Sequence, residues 1–99
     1  MTRQMLGNGK WFDLDAALKW DEATSFDGRN HVSQATGSNF EHERLYRTRQ
    51  GRYVLHWWSD WQGPLPRWTL ISENEAFIWL INQGYHDEVP MKAIEDSEI

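Results

Sequence analysis

The strongest pattern along the chain is a pair of segments, residues 41–48 and 52–58, that are both rich in aromatic and β-branched side chains. The residues between them, Arg-Gln-Gly at 49–51, predict a β-hairpin with Gly51 in the left-handed conformation. A three-residue loop pairs Thr48 with Arg52, Tyr46 with Val54, Leu45 with Leu55, and Glu43 with Trp57. A two-residue loop would change these pairs but would keep a mixed second face.

Alternation along the two strands divides their side chains between two faces of the hairpin. One face carries Leu45, Tyr53, Leu55 and Trp57, and the other carries Arg44, Tyr46, Val54, His56 and Trp58. Because neighbouring strand residues point in opposite directions, Trp57 and Trp58 cannot both enter one core. One of them therefore needs another cover, either residues 21–38 of this chain or a partner molecule.

The second strong pattern lies towards the end of the chain. Residues 67–71 predict a third strand, and Ser72-x-x-Glu75 is a capping box directly before the apolar run from Ala76 to Ile81. Gly84 supplies the stop signal of this helix. The apolar run wraps more than one side of the helix, so we expect the helix to be well buried, in part by another chain.

Weaker signals complete the order of elements. Asp13 is a candidate N-cap for a short helix with Leu14, Ala17 and Leu18 at helical spacing, and the Asp27-Gly28 step predicts an irregular hairpin. The resulting prediction is an α+β domain over residues 10–86. It has a small antiparallel sheet built on the long hairpin, one short N-terminal helix and one buried C-terminal helix packed on a face. Residues 1–9 are expected to form a flexible leader, and residues 87–99 an acidic, disordered tail.

Length and composition limit the class of protein. With 99 residues the chain supports one domain, and its seven tryptophans indicate a core built around aromatic rings. The lack of cysteine excludes a disulfide scaffold, a zinc ribbon and a cysteine nucleophile, and favours a reducing, cytoplasmic compartment. We find no apolar run that predicts a signal peptide or a membrane span, so no membrane partner is expected.

Charge is distributed unevenly along the chain. The formal net charge is −5, and residues 86–99 hold five acidic residues against one lysine. The predicted hairpin, in contrast, carries four arginines without an intervening acid: Arg44, Arg47, Arg49 and Arg52. Arginines interleaved with aromatic rings are typical of nucleic-acid interfaces, although the acidic balance of the whole chain opposes that function.

Candidate catalytic and metal-binding groups are few. Glu41-His42-Glu43 contains metal-ligand residue types, but strand alternation separates His42 from both acids. A small hydrolase or metal site near His31, His42 and His56 is therefore the third hypothesis, and we expect no catalytic residue, metal or cofactor. The hydroxyl side chains around His31 are better suited to capping turns.

Three indoles within five positions, Trp57, Trp58 and Trp61, favour an interaction surface, because tryptophan is a preferred interface anchor. The candidate contact residues are Trp57, Trp58, Trp61, Tyr46 and His56. The leading hypothesis is a non-enzymatic module that binds a protein partner or associates with itself. The alternative is a nucleic-acid-binding domain that uses the four hairpin arginines.

One stretch of sequence also carries a resemblance. Residues 45–56 read Leu-Tyr-Arg-Thr-x-x-Gly-Arg-Tyr-Val-Leu-His, and Trp58-Ser-x-Trp-Gln-Gly and Ile71-Ser-x-x-Glu-Ala-x-x-Trp-Leu-x-x-x-Gly-Tyr follow. With these motifs, residues 41–85 resemble a family of short uncharacterised proteins from bacteria and their phages or mobile elements. The resemblance implies a small intracellular accessory protein, such as a phage or defence-related regulator, and transfers no catalytic or ligand residue.

Overall fold

Eight strands in three antiparallel sheets organise the computed structural model, which describes residues 1–99. The strands are β1 (Arg3–Met5), β2 (Trp11–Asp13), β3 (Leu18–Asp21), β4 (Thr24–Phe26), β5 (His31–Ser33), β6 (Glu41–Arg47), β7 (Tyr53–Ser59) and β8 (Arg67–Ile71). The central sheet has four strands in the order β3-β6-β7-β8, and β1-β2 and β4-β5 are two small sheets. The helices are α1 (Glu73–Asn82) and α2 (Met91–Asp96), and Leu14–Ala16 and His86–Glu88 form short 3₁₀ turns. Neither helix is long and apolar enough to cross a membrane.

The long hairpin β6-β7 forms in the predicted register. Tyr46 lies opposite Val54 and Leu45 opposite Leu55. The backbone N–H of Thr48 donates to the carbonyl of Arg52 over 2.7 Å, which closes the loop. Gly51 has a φ of 80°, a left-handed conformation that favours glycine, so the turn chemistry and the register agree.

Helix α1 begins and ends where the sequence predicts. The N–H of Glu75 donates to the Ser72 hydroxyl over 3.1 Å, and the Glu75 carboxylate accepts from the Ser72 N–H over 3.4 Å, which completes the capping box. At the other end, Gly84 has a φ of 87° and the N–H of Tyr85 donates to the carbonyl of Leu80 over 2.9 Å. These bonds use backbone groups that the helix itself leaves without partners.

The central sheet has a core on each face. The first core contains the buried residues Leu45, Tyr53, Ala76, Trp79, Leu80 and Val89. In this core, the indole Nε1–H of Trp79 donates to the Glu43 carboxylate over 3.1 Å, so a hydrogen bond also joins α1 to β6. The second core, on the opposite face, contains Phe12, Tyr46 and Val54. This arrangement explains why both faces of the hairpin carry large apolar side chains.

The α+β prediction is wrong, because most ordered elements are strands and only one helix exceeds six residues. The main difference from the prediction lies at the N-terminal helix, which the structure does not contain. Asp13 does act as a cap, and its side chain accepts from the Asp15 N–H over 3.1 Å, but the helix is a single 3₁₀ turn. The chain then continues as β3, because pairing with β6 satisfies its backbone groups along the sheet edge. Pairing with a strand that is distant in sequence thus overrides the local helical pattern of Leu14, Ala17 and Leu18.

The segments predicted as leader and tail both contain secondary structure. Strand β1 lies within the predicted leader and pairs with β2, which follows it, and the Gly7-Asn8-Gly9 segment belongs to the connecting turn. The predicted tail contains α2 and places Val89, which is only 6% exposed, in the first core. The irregular hairpin at Asp27-Gly28 is confirmed as β4-β5.

Candidate functional site

Four aromatic rings form a continuous stack on the second face of the sheet, beside the second core. We call this set, His42, Trp58, His56 and Trp68, the aromatic ladder. Ring centroids are separated by 5.4 Å between His42 and Trp58, 4.7 Å between Trp58 and His56, and 3.7 Å between His56 and Trp68. The register produces the stack, because His42 lies opposite Trp58 and His56 lies opposite Trp68.

His56 acts as a neutral spacer between two indoles. Its ring lies nearly parallel to that of Trp68, with an interplanar angle of 6°. Burial, together with the nearby charge of Arg44, lowers the pKa of His56 to about 4. The buried Nδ1 atom has no hydrogen-bond partner. At neutral pH this imidazole therefore contributes a flat, uncharged ring.

His42 is held in a different environment at the end of the ladder. Its Nδ1 lies 2.8 Å from the Glu22 carboxylate and its Nε2 lies 2.8 Å from the Asp60 carboxylate. Partial burial alone would lower the pKa of His42, but the hydrogen bonds and charges of the two carboxylates outweigh it and raise the pKa. Both ring nitrogens are occupied, so His42 has none left to serve as a base or a metal ligand.

Glu22 connects this end of the ladder to β5. One carboxylate oxygen accepts from the Ser33 hydroxyl over 2.6 Å and from the Glu43 backbone N–H over 2.7 Å, while the other faces His42. A carboxylate with several donors is well compensated for its burial. The contact fixes the small β4-β5 sheet against the hairpin.

Beyond the ladder, Phe40 and Trp61 form an exposed aromatic pair at the end of the hairpin opposite its turn. Their ring centroids lie 4.8 Å apart, and the residues are 41% and 62% exposed. Two local bonds hold the pair: the Asp60 N–H donates to the Phe40 carbonyl over 2.9 Å, and the Trp61 N–H donates to the Ser59 hydroxyl over 3.1 Å. Leu65, in the same connection to β8, is also exposed.

The other predicted contact residues are less accessible. Trp57 and Trp58 are both half-buried and each has a cation partner: the Arg67 guanidinium lies 4.3 Å from the Trp57 ring, and that of Arg44 lies 5.3 Å from Trp58. Tyr46 is only 7% exposed and packs against Phe12 in the second core. The open aromatic surface therefore centres on Trp61.

The four hairpin arginines do not form one surface. Arg44 is paired with Asp21, and Arg47 lies on the first face, opposite Tyr53. Arg49 and Arg52 instead line a cavity of about 620 Å³ between the β6-β7 turn and the β1-β2 hairpin. We call this cavity the turn groove; its wall also contains Lys10 and Trp11, which the sequence analysis did not single out.

The hypothesis of a site at three histidines is not matched by their positions. His31 is exposed in β5, where its ring lies 5.3 Å from that of Phe26, whereas His42 and His56 flank Trp58. No group of three or more histidine, aspartate or glutamate side chains is arranged to hold a metal ion.

Sequence reasoning missed four contributors to the candidate surface: Glu22, Phe40, Asp60 and Trp68. None of them had a local signal, because Phe40 lies before β6 begins and the other three contact residues that are distant in sequence. Comparisons with protein-family models, with curated proteins and with solved structures find no match for this chain.

Proposed function

We propose that this chain is a non-enzymatic interaction module that binds a protein through the Phe40–Trp61 pair and the adjacent aromatic ladder. The exposure of Trp61 carries the proposal, because this large indole lies outside both cores, is 62% exposed and has the exposed ring of Phe40 beside it. Tryptophan anchors are among the residues that contribute most to protein–protein binding. The bound protein is a different partner or a second copy of the chain.

The stacking within the ladder favours a protein over a nucleic acid as partner. Single-stranded nucleic acids bind when bases stack on free aromatic faces. In the ladder, the faces between neighbouring rings are already covered by their stacking. The residue next to Trp61 is the carboxylate Asp60, which pairs with His42 and offers a phosphate no cation. Both features fit a protein partner better than a single strand of nucleic acid.

Capture of a partner from the native host by tagged chain, followed by mass spectrometry, tests the proposal with two matched variants. Trp61→Ala removes the exposed indole, whereas Phe26→Ala removes an aromatic ring that is 63% exposed on the separate β4-β5 sheet. We expect the same protein to be captured by wild type and by Phe26→Ala, and lost with Trp61→Ala. Equal capture by all three would contradict the proposed surface.

Self-association is measured on the same variants by analytical ultracentrifugation. If the partner is a second copy, wild type and Phe26→Ala dimerise over the tested concentrations, while Trp61→Ala remains monomeric. A dimer that persists in Trp61→Ala, with no captured partner, would reject the Phe40–Trp61 pair as the contact.

A further inference from the structure

The turn groove lies where the β1-β2 hairpin and the β6-β7 turn diverge. The two elements are joined at its base by Phe12, whose ring centroid lies 5.6 Å from that of Tyr46. Above this contact they enclose the cavity of about 620 Å³, within the roughly 300–1,000 Å³ typical of small-molecule sites. The groove is separate from the Phe40–Trp61 pair, which lies at the opposite end of the hairpin.

The charge of the groove is positive. Lys10, Arg49 and Arg52 line it, and none of the three takes part in an ion pair. The wall also holds one acidic residue, Asp13, one oxygen of which accepts from the backbone N–H groups of Thr2 and Asp15, each over 3.1 Å. Desolvation alone would raise the pKa of Asp13, but these hydrogen bonds, and the charge of Arg49 among other influences, lower it, so this carboxylate stays ionised near the groove. Three cations without ion-pair partners against one carboxylate still leave the groove positive, which favours an anionic ligand.

The rest of the lining is apolar and aromatic. Phe12, Val54 and Leu70 contribute apolar surface, and the exposed ring of Trp11 stands in the wall. The Arg3 guanidinium lies 4.9 Å from the Trp11 ring and adds to the positive surroundings. The groove thus combines an anion-binding rim with a surface suited to a flat ring. Guanidinium groups bind both carboxylate and phosphate with two parallel hydrogen bonds. A phosphate monoester carries about −1.5 to −2 charges at neutral pH, so it matches several cations better than a carboxylate does.

We propose that the turn groove binds a nucleoside 5′-phosphate, with the phosphate between Arg49, Arg52 and Lys10 and the base against Trp11. The ligand is a free nucleotide or the 5′-phosphorylated end of a nucleic-acid strand, since both present the same chemistry. This inference is independent of the proposed protein interaction, because the two sites share no residue.

Titration of the ¹⁵N-labelled full chain with adenosine 5′-monophosphate tests the site. We expect amide signals of residues 9–13 and 48–52 to shift in a saturable way. Adenosine, which lacks the phosphate, and inorganic phosphate, which lacks the ring, each bind more weakly by about tenfold or more. Absence of saturable shifts at millimolar nucleotide, or shifts centred outside these residues, would overturn the proposal.

Two variants separate a defined site from general charge attraction. Arg49→Gln combined with Arg52→Gln removes the groove's guanidiniums, and we expect affinity for the nucleotide to fall by about tenfold or more. Arg47→Gln is the matched control, because it removes one arginine from the opposite face of β6 and should leave affinity unchanged. All three arginines are exposed, so the melting temperature of each variant should match that of wild type. An equal loss of affinity in the control would overturn the proposal.

A further variant and two short oligonucleotides test the ring contact and the source of the phosphate. Trp11→Leu should remove the preference for the nucleotide over inorganic phosphate; an unchanged preference would overturn the placement of the base.

Binding of a 5′-phosphorylated oligonucleotide in the groove, with loss of binding for the 5′-hydroxyl form, identifies a strand end as a ligand. Nucleotide binding without oligonucleotide binding identifies the free form. Equal binding of both oligonucleotides would replace an end-specific site with backbone binding and overturn the proposal.

Discussion

His42 and His56 flank the same indole, that of Trp58, yet their surroundings shift their pKa values in opposite directions. Two carboxylates raise the pKa of His42 above its usual 6.5, whereas burial near Arg44 lowers that of His56 to about 4. A raised pKa means that the protonated form stabilises the fold. The contribution of His42 is complete below pH 6.5 and is lost as pH rises through its folded-state value.

The contribution of His56 has the opposite sign. Because its neutral form is favoured in the fold, stability is present above pH 6.5 and is lost as pH falls from 6.5 towards 4. Together the two histidines place the maximum of their combined contribution near pH 6.5. We expect NMR titration of the ring protons to show His42 titrating above 6.5 and His56 remaining neutral until strongly acidic pH.

Asp60→Asn isolates the carboxylate effect on His42. The substitution removes one of the two negative charges that face the imidazole, so the pKa of His42 should fall, while that of His56 should stay near its wild-type value. The melting temperature should then fall less steeply as pH rises above the pH of maximum stability. If the His42 titration were the same in both proteins, the Asp60 contact would not be formed in solution.

At the scale of elements, α1 depends on its first turn. Ser72→Ala removes the hydroxyl that accepts from the Glu75 N–H, and we expect it to cost about 1 kcal/mol of unfolding free energy. Ser72→Thr keeps a hydroxyl at the same position and should retain most of the stability. Denaturant unfolding compares the three proteins; an unchanged midpoint in Ser72→Ala would show that the capping box contributes nothing.

The C-terminal segment gives a second test at this scale. Removal of residues 89–99 deletes α2 and Val89, which packs in the first core with Leu80. We expect amide signals across residues 67–85 to shift and the melting temperature to fall, because buried apolar surface on α1 becomes exposed. Removal of residues 98–99, which lie beyond the Ser97 C-cap of α2 and are exposed, is the control and should leave both unchanged. Unchanged amide signals and melting temperature after the longer deletion would show that residues 89–99 do not stabilise the fold.

These elements show which parts of the fold are encoded locally. The β6-β7 register and both ends of α1 follow from short signals, Gly51 in one turn and Ser72, Glu75 and Gly84 around one helix. Packing of Val89 on α1 has no such signal, because it depends on contacts between residues far apart in sequence. The same holds for β3, whose strand conformation comes from its pairing with β6.

At the scale of the whole molecule, one sheet is covered unequally on its two faces. Helix α1 and Val89 cover the first face, whereas Phe12 of the β1-β2 hairpin covers only part of the second and leaves the aromatic ladder beside it. Strand alternation predicted that Trp57 and Trp58 would need different covers. Their partners, Arg67 and the two ladder histidines, depend on strand register and on side-chain placement that no single segment encodes.

The salt dependence of binding distinguishes a protein partner from a nucleic acid across the whole molecule. A protein that binds the phosphate backbone of a nucleic acid loses affinity for it steeply as salt rises. Each phosphate contact contributes about 0.7 to 0.9 to the slope of log affinity against log salt concentration. An aromatic anchor gives a weak dependence, and Trp61→Ala should cost about 2 kcal/mol or more of partner binding. We expect the second behaviour, because the net charge of −5 repels a polyanion and the hairpin arginines are divided among different surroundings. The measurement is titration of the captured partner and of an arbitrary oligonucleotide over a range of salt concentrations. Tight, salt-sensitive oligonucleotide binding at physiological salt that charge reversal of Arg47 and Arg49 abolishes would instead make nucleic acid the partner.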